Sequence, residues 1–103
     1  MKIAAHNRWS EGQSQARATD FLKVLLGVAP AELVWDQTHH LQGHAHIGSR
    51  ELILIAARDK AHSPVVLTAE DWDEIRHTPG EQASELVQRR AIRDHRKLLA
   101  LVS

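Results

Sequence analysis

RELILIAARDKAHSPVVLTAEDWDEI, residues 50–75, is the stretch that decides the fold predicted from this sequence. Residues 50–57 form a nearly continuous apolar run, which is typical of a buried strand. A polar segment follows at residues 58–63, and residues 64–67 are apolar again, so they are the expected antiparallel partner of the first run. The stretch therefore predicts a strand, a turn and a second strand, followed by a helix.

Cap residues mark where two helices begin. Thr68 and Asp71 have the spacing of a helix cap, and the acidic residues that follow lie where the helix dipole favours negative charge. Ser10 and Gln13 have the spacing of a capping box, which predicts a helix from Glu11 onward. One apolar face, which we expect to be core, then recurs at helical spacing until Gly27 and Pro30 end the pattern: Ala18, Phe21, Leu22, Leu25, Leu26 and Ala29.

The remaining segments complete an α+β domain. Short strands are predicted at residues 2–5 and 32–35, whereas residues 36–48 lack a period and are interpreted as a loop or a loose hairpin. Residues 81–102 are predicted as one helix with a basic middle. The whole chain, residues 1–103, is expected to form one domain, with a small antiparallel sheet, an N-terminal helix and two C-terminal helices.

Composition limits the classes of protein that fit. The chain has 13 basic and 13 acidic residues, so bulk charge does not indicate a partner. It has no cysteine, which excludes disulfides and thiolate zinc sites, and its apolar runs are too short to cross a bilayer. The N-terminus lacks the apolar region of a signal peptide. We expect a cytoplasmic protein that needs no cofactor, and a chain this short often gains stability as a homodimer.

Two groups of basic residues are candidates for binding. Lys2, Arg8 and Arg17 near the N-terminus could contact DNA phosphates, although a solvated surface is the simpler interpretation. The basic part of the last helix could instead bind a partner protein, through Arg89, Arg93 and Arg96. The three tryptophans, Trp9, Trp35 and Trp72, are expected to be core residues because the chain has one phenylalanine and no tyrosine.

Several segments together resemble the Phd/YefM antitoxins. They are Ala16-Arg17, the helix end FLKVLLGV, the Arg58-Asp59-Lys60 turn and the segment PVVLTAEDWDEI. The resemblance implies a small α+β dimer that has no catalytic activity. Its N-terminal half would bind operator DNA, and its C-terminal helix would bind and neutralise a cognate toxin. Residues 29–49 depart from the family pattern, because the first helix of the family runs almost directly into the strand before the turn.

This insertion contains four histidines, and it supplies the alternatives to a solvated loop. The first is a small nuclease in which His39 and His44, with Arg50 or Arg58, cleave RNA through its own 2′-hydroxyl. The second is a site for a divalent transition metal, with Asp36 or Glu51 as a further ligand. The histidines proposed for the metal are His39, His40, His44 and His46.

Overall fold

A computed structural model describes residues 8–102 of the chain, so Lys2 and the strand predicted at residues 2–5 lie outside the described residues. The α+β class is confirmed, with an antiparallel sheet that follows one helix and precedes others. In chain order the elements are α1 (Glu11–Leu26), β1 (Glu32–Trp35), β2 (Gln42–Ile47), β3 (Arg50–Ile55), β4 (Val65–Thr68), α2 (Ala69–Arg76), α3 (Gly80–Arg90) and α4 (His95–Val102).

The first helix begins and ends as the sequence predicts. The Ser10 hydroxyl accepts from the Gln13 backbone N–H at 3.1 Å, and the Gln13 side chain accepts from the Ser10 N–H at 2.9 Å, which completes the capping box. At the other end Gly27 has φ +84°, and its N–H donates to the Lys23 carbonyl. Ala29 lies beyond this end and is exposed, so its prediction as a core residue was wrong.

The four strands form one sheet in the order β1-β2-β3-β4, and each neighbouring pair is antiparallel. Residues 42–47, predicted as part of a loop or loose hairpin, are therefore a central strand. The Ala45 side chain points to the buried face, and Gly43, on the same face, has no side chain, so Leu33 and Trp35 of β1 pack closely against its backbone. His44 lies between them in sequence and points to the opposite face.

Helices cover both faces of the sheet, but one of the faces is covered only in part. Helices α1 and α4 pack on the first face with a core that includes Leu22, Leu52 and Leu98. Helices α2 and α3 pack on the second face, around Leu67 and Ile75. Because that second cluster lies beside β4, the second face of β1 and β2 stays open to solvent. No helix within residues 8–102 has the length and apolar character to cross a membrane.

The basic C-terminal segment is two helices, so the prediction of one continuous helix over residues 81–102 was wrong. Helix α3 ends at Arg90, and the Ile92 N–H then donates to the Val66 carbonyl of β4 at 2.8 Å. Ile92 is buried, and Asp94 accepts from the Arg96 N–H as α4 begins. The chain thus passes along β4 from one face of the sheet to the other, a tertiary contact that helical periodicity does not reveal.

Candidate functional site

The main cleft of the described residues lies at the end of the sheet where β2 begins and β3 ends. Its volume is about 590 Å³, within the range of ordinary ligand sites. Five parts of the chain meet there: the residues before α1, the first turns of α1, the loop at residues 36–41, the end of β3 and helix α2. The side chains that give the cleft its chemistry are Arg8, Trp9, His39, His40, Arg58 and Trp72.

Backbone contacts hold the two cleft arginines close together. Arg8 forms an isolated antiparallel bridge with Asp59, and the Trp9 N–H donates to the Arg58 carbonyl at 2.8 Å. The turn itself is fixed by Asp59, whose Oδ1 accepts from the His62 ring at 2.8 Å and from the Ala61 N–H at 2.9 Å. The hydrogen bond from His62 is the main reason that the pKa of Asp59 lies below its ordinary value.

Trp9 brings a third arginine to this end of the molecule. The Arg17 guanidinium lies over the Trp9 ring, 4.2 Å from its centroid, in a cation–π contact. Within residues 8–102, Arg8, Arg17 and Arg58 form no ion pair with an acidic side chain. Two of the residues predicted to bind DNA are therefore neighbours of one tryptophan, and Arg58 adds a third unpaired cation.

The loop at residues 36–41 forms one wall of the cleft, and Asp36 organises it. The Asp36 Oδ1 accepts from the His39 and Thr38 N–H groups, both at 2.7 Å. These two bonds, with His39 first, hold the pKa of Asp36 below its ordinary value. The Asp36 carboxylate therefore stabilises the turn, and His39 lies at the cleft wall.

His40 joins this loop to helix α1. Its Nδ1 lies 2.8 Å from the Glu11 carboxylate and its Nε2 lies 2.5 Å from the Gln37 carbonyl, so both ring nitrogens face acceptors. Both bonds form only when the ring is doubly protonated, and Glu11, followed by Gln37, raises the pKa of His40. The Gln15 side chain also donates to the His40 carbonyl at 2.7 Å. Glu11 and Gln37 thus hold the His40 ring on the cleft wall, and the raised pKa favours its protonated form.

The structure does not bring together the three residues of the nuclease hypothesis. His39 lines the cleft, but Arg50 begins β3 at the opposite end of that six-residue strand, roughly 17 Å away at the usual rise per residue. Arg50 instead contacts Glu70 at 3.4 Å. His44 lies on the open face of the sheet, 3.5 Å from Glu51. The cleft places Arg8 and Arg58 with His39, whereas Arg50 and His44 lie elsewhere on the sheet, so the catalytic grouping of His39 with His44 and Arg50 stays a prediction that this geometry does not support.

The four histidines of the metal hypothesis are also divided. His40 is bound to Glu11 in the loop, whereas His44 and His46 lie on β2, where their nitrogens are 3.5 and 3.8 Å from the same Glu51 oxygen. In the part of the chain that the structure describes, no group of three or more histidine, aspartate or glutamate side chains is arranged to hold a metal ion. The structure therefore divides the four histidines between the loop, which holds His39 and His40, and strand β2, which holds His44 and His46.

The predicted partner-binding arginines lie around the break between α3 and α4. Arg93 donates to the Gln88 carbonyl at 2.9 Å, while the neighbouring Arg90 contacts Asp71 at 2.7 Å. Arg89 and Arg96 are exposed and have no acidic partner among residues 8–102. Because they lie on two different helices, these cations do not form the single helical face that the sequence predicted.

Sequence reasoning missed Trp72 as a cleft residue and gave Arg58 only a secondary role. Trp72 packs partly on the second core, as predicted, but its remaining surface lines the cleft. No local pattern in the sequence indicates either role, because the cleft depends on the long-range bridge between Arg8 and Asp59. Comparison with known protein families, curated proteins and solved structures finds no match to this chain. Its function must therefore be inferred from the geometry of the cleft.

Proposed function

We propose that this chain is a nucleic-acid-binding regulator of the antitoxin kind, acting in the cytoplasm as a homodimer. The observation that carries the proposal is a set of three arginines without acidic partners in residues 8–102: Arg8 and Arg58 line the cleft beside Trp9, and the Arg17 guanidinium lies over the Trp9 ring. Guanidinium is the side-chain group best shaped to bind phosphate oxygens in pairs. Operator DNA next to its own reading frame is the first ligand to test.

The acids near these arginines support the same proposal. Glu11 is bound to His40, and Asp59 is bound to His62, so each carboxylate beside the cleft already has a cationic or hydrogen-bonding partner. The three arginines therefore remain available to bind an anionic ligand. A neutral protein can bind a polyanion in this way because local asymmetry, rather than net charge, sets the field at a surface.

The basic surface around Arg89 and Arg96 is proposed to bind the partner toxin. Both side chains are exposed and unpaired within the described residues, and they lie beside the junction of α3 and α4. Arginines at an interface bind carboxylates of a partner with paired hydrogen bonds. An acidic patch on the toxin is the expected complement.

Fluorescence anisotropy with labelled promoter DNA at low salt tests the proposal. We expect binding by the native chain, and we expect Arg8→Ala with Arg17→Ala to weaken it for every sequence tried, because phosphate contacts carry no sequence information. Lys23→Ala is the matched control, since it removes one exposed positive charge from the far end of α1. Failure to bind any nucleic acid at low salt would contradict the proposal.

A small ribonuclease is the second candidate, and one observation favours it: His39 lines the same cleft as Arg8 and Arg58. In this mechanism His39 removes the proton of a 2′-hydroxyl, the freed oxygen bonds to phosphorus, and the bond to the 5′-oxygen breaks as that oxygen takes a proton from water. The two arginines stabilise the charge on the phosphate oxygens. Cleavage of RNA by the purified chain, lost in His39→Ala but kept in His44→Ala, would favour this candidate.

A further inference from the structure

The main cleft continues into a second one. A smaller cleft of about 350 Å³ adjoins it, and the two share Arg8, Ile55 and Arg58 as lining residues. We name the combined depression the arginine groove. It runs from the His39 wall, past the two arginines, to the turn that carries His62. Its shape is therefore elongated, with positive charge at the centre.

The chemistry of the arginine groove changes along its length. Arg8 and Arg58 line both clefts and so lie where the two clefts meet, and neither side chain pairs with an acid in residues 8–102. Trp9 and Trp72 line the larger cleft only. A phosphate bound between the arginines would thus have an aromatic surface on one side of it, and this is the combination of charge and stacking that single-stranded nucleic acids require.

The concave shape favours a single strand over a duplex. Proteins that read a duplex insert a helix or ribbon into its major groove, about 12 Å wide. Here the binding groups lie inside a depression, between the loop at residues 36–41 and the turn at residues 58–63. Bases inside a duplex cannot reach a tryptophan placed in this way, whereas an unpaired base presents a full face to it.

We propose that the arginine groove binds a single-stranded stretch of nucleic acid, with a phosphate between Arg8 and Arg58 and a base against Trp72. The proposal rests on the nucleic-acid binding of the proposed function, and it makes a single strand, rather than duplex operator DNA, the preferred ligand of the groove. Both clefts fall within the size range of ordinary ligand sites. The groove therefore contacts the strand over a short length.

The test compares three labelled ligands of one sequence: single-stranded RNA, single-stranded DNA and duplex DNA. We expect the full chain to bind a single strand at least tenfold more tightly than the duplex, and the RNA and DNA arms show which sugar the groove accepts. Preference for the duplex would overturn this inference and leave the proposed function standing. Absence of binding to all three would overturn both.

Substitutions test the phosphate-binding arginine and the base-stacking tryptophan of the groove separately. Arg58→Ala should weaken single-strand binding, and Lys23→Ala should not. Trp72→Leu should weaken it by about 5- to 150-fold, the usual effect of losing one stacked base, whereas Trp72→Phe should keep most of the affinity. Equal binding by the leucine and phenylalanine variants, both folded by circular dichroism, would overturn the stacking role.

Tryptophan fluorescence gives a second readout that does not depend on a destabilising variant. Stacking of a base on Trp72 should quench its emission when the strand binds to the native chain. Because Trp9 also lines the groove, the comparison is made in a Trp9→Phe background. There, adding Trp72→Phe should remove most of this quenching while binding measured by anisotropy persists, because Trp35 is packed in the first core, away from the groove. Undiminished quenching in the double variant would overturn the position assigned to the base.

Discussion

The salt dependence of binding should change when the groove arginines are removed. Three guanidinium groups are free to contact phosphates, those of Arg8, Arg17 and Arg58. For a single strand each phosphate contact contributes about 0.7 to the slope of log affinity against log salt, so three contacts predict a slope of about −2.1. Raising the salt from about 50 to about 200 mM should then weaken binding about 18-fold.

The double substitution Arg8→Ala with Arg58→Ala should leave Arg17 as the one remaining contact of this group. The predicted slope falls to about −0.7, and the same increase in salt should weaken binding only about 2.6-fold. Anisotropy titrations at several salt concentrations measure both slopes, with Lys23→Ala as the control for the loss of charge. An unchanged slope in the double variant would refute the reasoning, because the phosphate contacts would then lie elsewhere.

Further predictions concern stability, pH and assembly. Leu52→Ala, at a fully buried position, should lower the free energy of unfolding by about 2–5 kcal/mol in urea denaturation. Gly48→Ala should lower the melting temperature, because Gly48 has φ +62° and an added Cβ would lie 2.8 Å from the Val102 carbonyl oxygen; an unchanged melting temperature would argue against this packing. The raised pKa of His40 means that its bond to Glu11 stabilises the fold fully below pH 6.5, the ordinary value, and that this contribution is lost as pH rises through the raised pKa. Glu11→Gln should therefore lower the pKa of His40 in an NMR titration, and its destabilising effect should fade at high pH. Light scattering should give a dimer at high micromolar concentration, and a monomer would contradict that part of the proposal.

Features encoded by neighbouring residues could be predicted from the sequence. The cap of Thr68, which accepts from the Asp71 N–H at 3.1 Å, is complete within four residues. The apolar run predicts strand β3. Strand β4 is predicted as its antiparallel partner because only a short turn separates the two apolar runs. These features define most of the α+β architecture, since the first helix and the hairpin both place their apolar residues in the first core.

Features that depend on distant residues could not be predicted in the same way. Strand β2 alternates, but Gly43 and Ala45 supply most of its buried side and histidines most of its open side, so the usual contrast between large apolar and polar residues is weak. The break after α3 depends on the Ile92 hydrogen bond to Val66. The arginine groove depends on the bridge between Arg8 and Asp59. Neither contact leaves a periodic signal in the sequence.

The zero net charge of this chain conceals an uneven distribution of paired and unpaired charges. Two acidic side chains of α2 form ion pairs within the fold, because Arg90 contacts Asp71 at 2.7 Å and Glu74 at 3.5 Å. The acids beside the groove are bound to histidines in the same way. Such exposed pairs add little stability. The groove arginines have no such partner among residues 8–102, so the groove carries unpaired positive charges even though the chain is neutral. A nearly neutral isoelectric point therefore does not argue against a polyanionic ligand, and the pairing of each acid is the property that decides where one can bind.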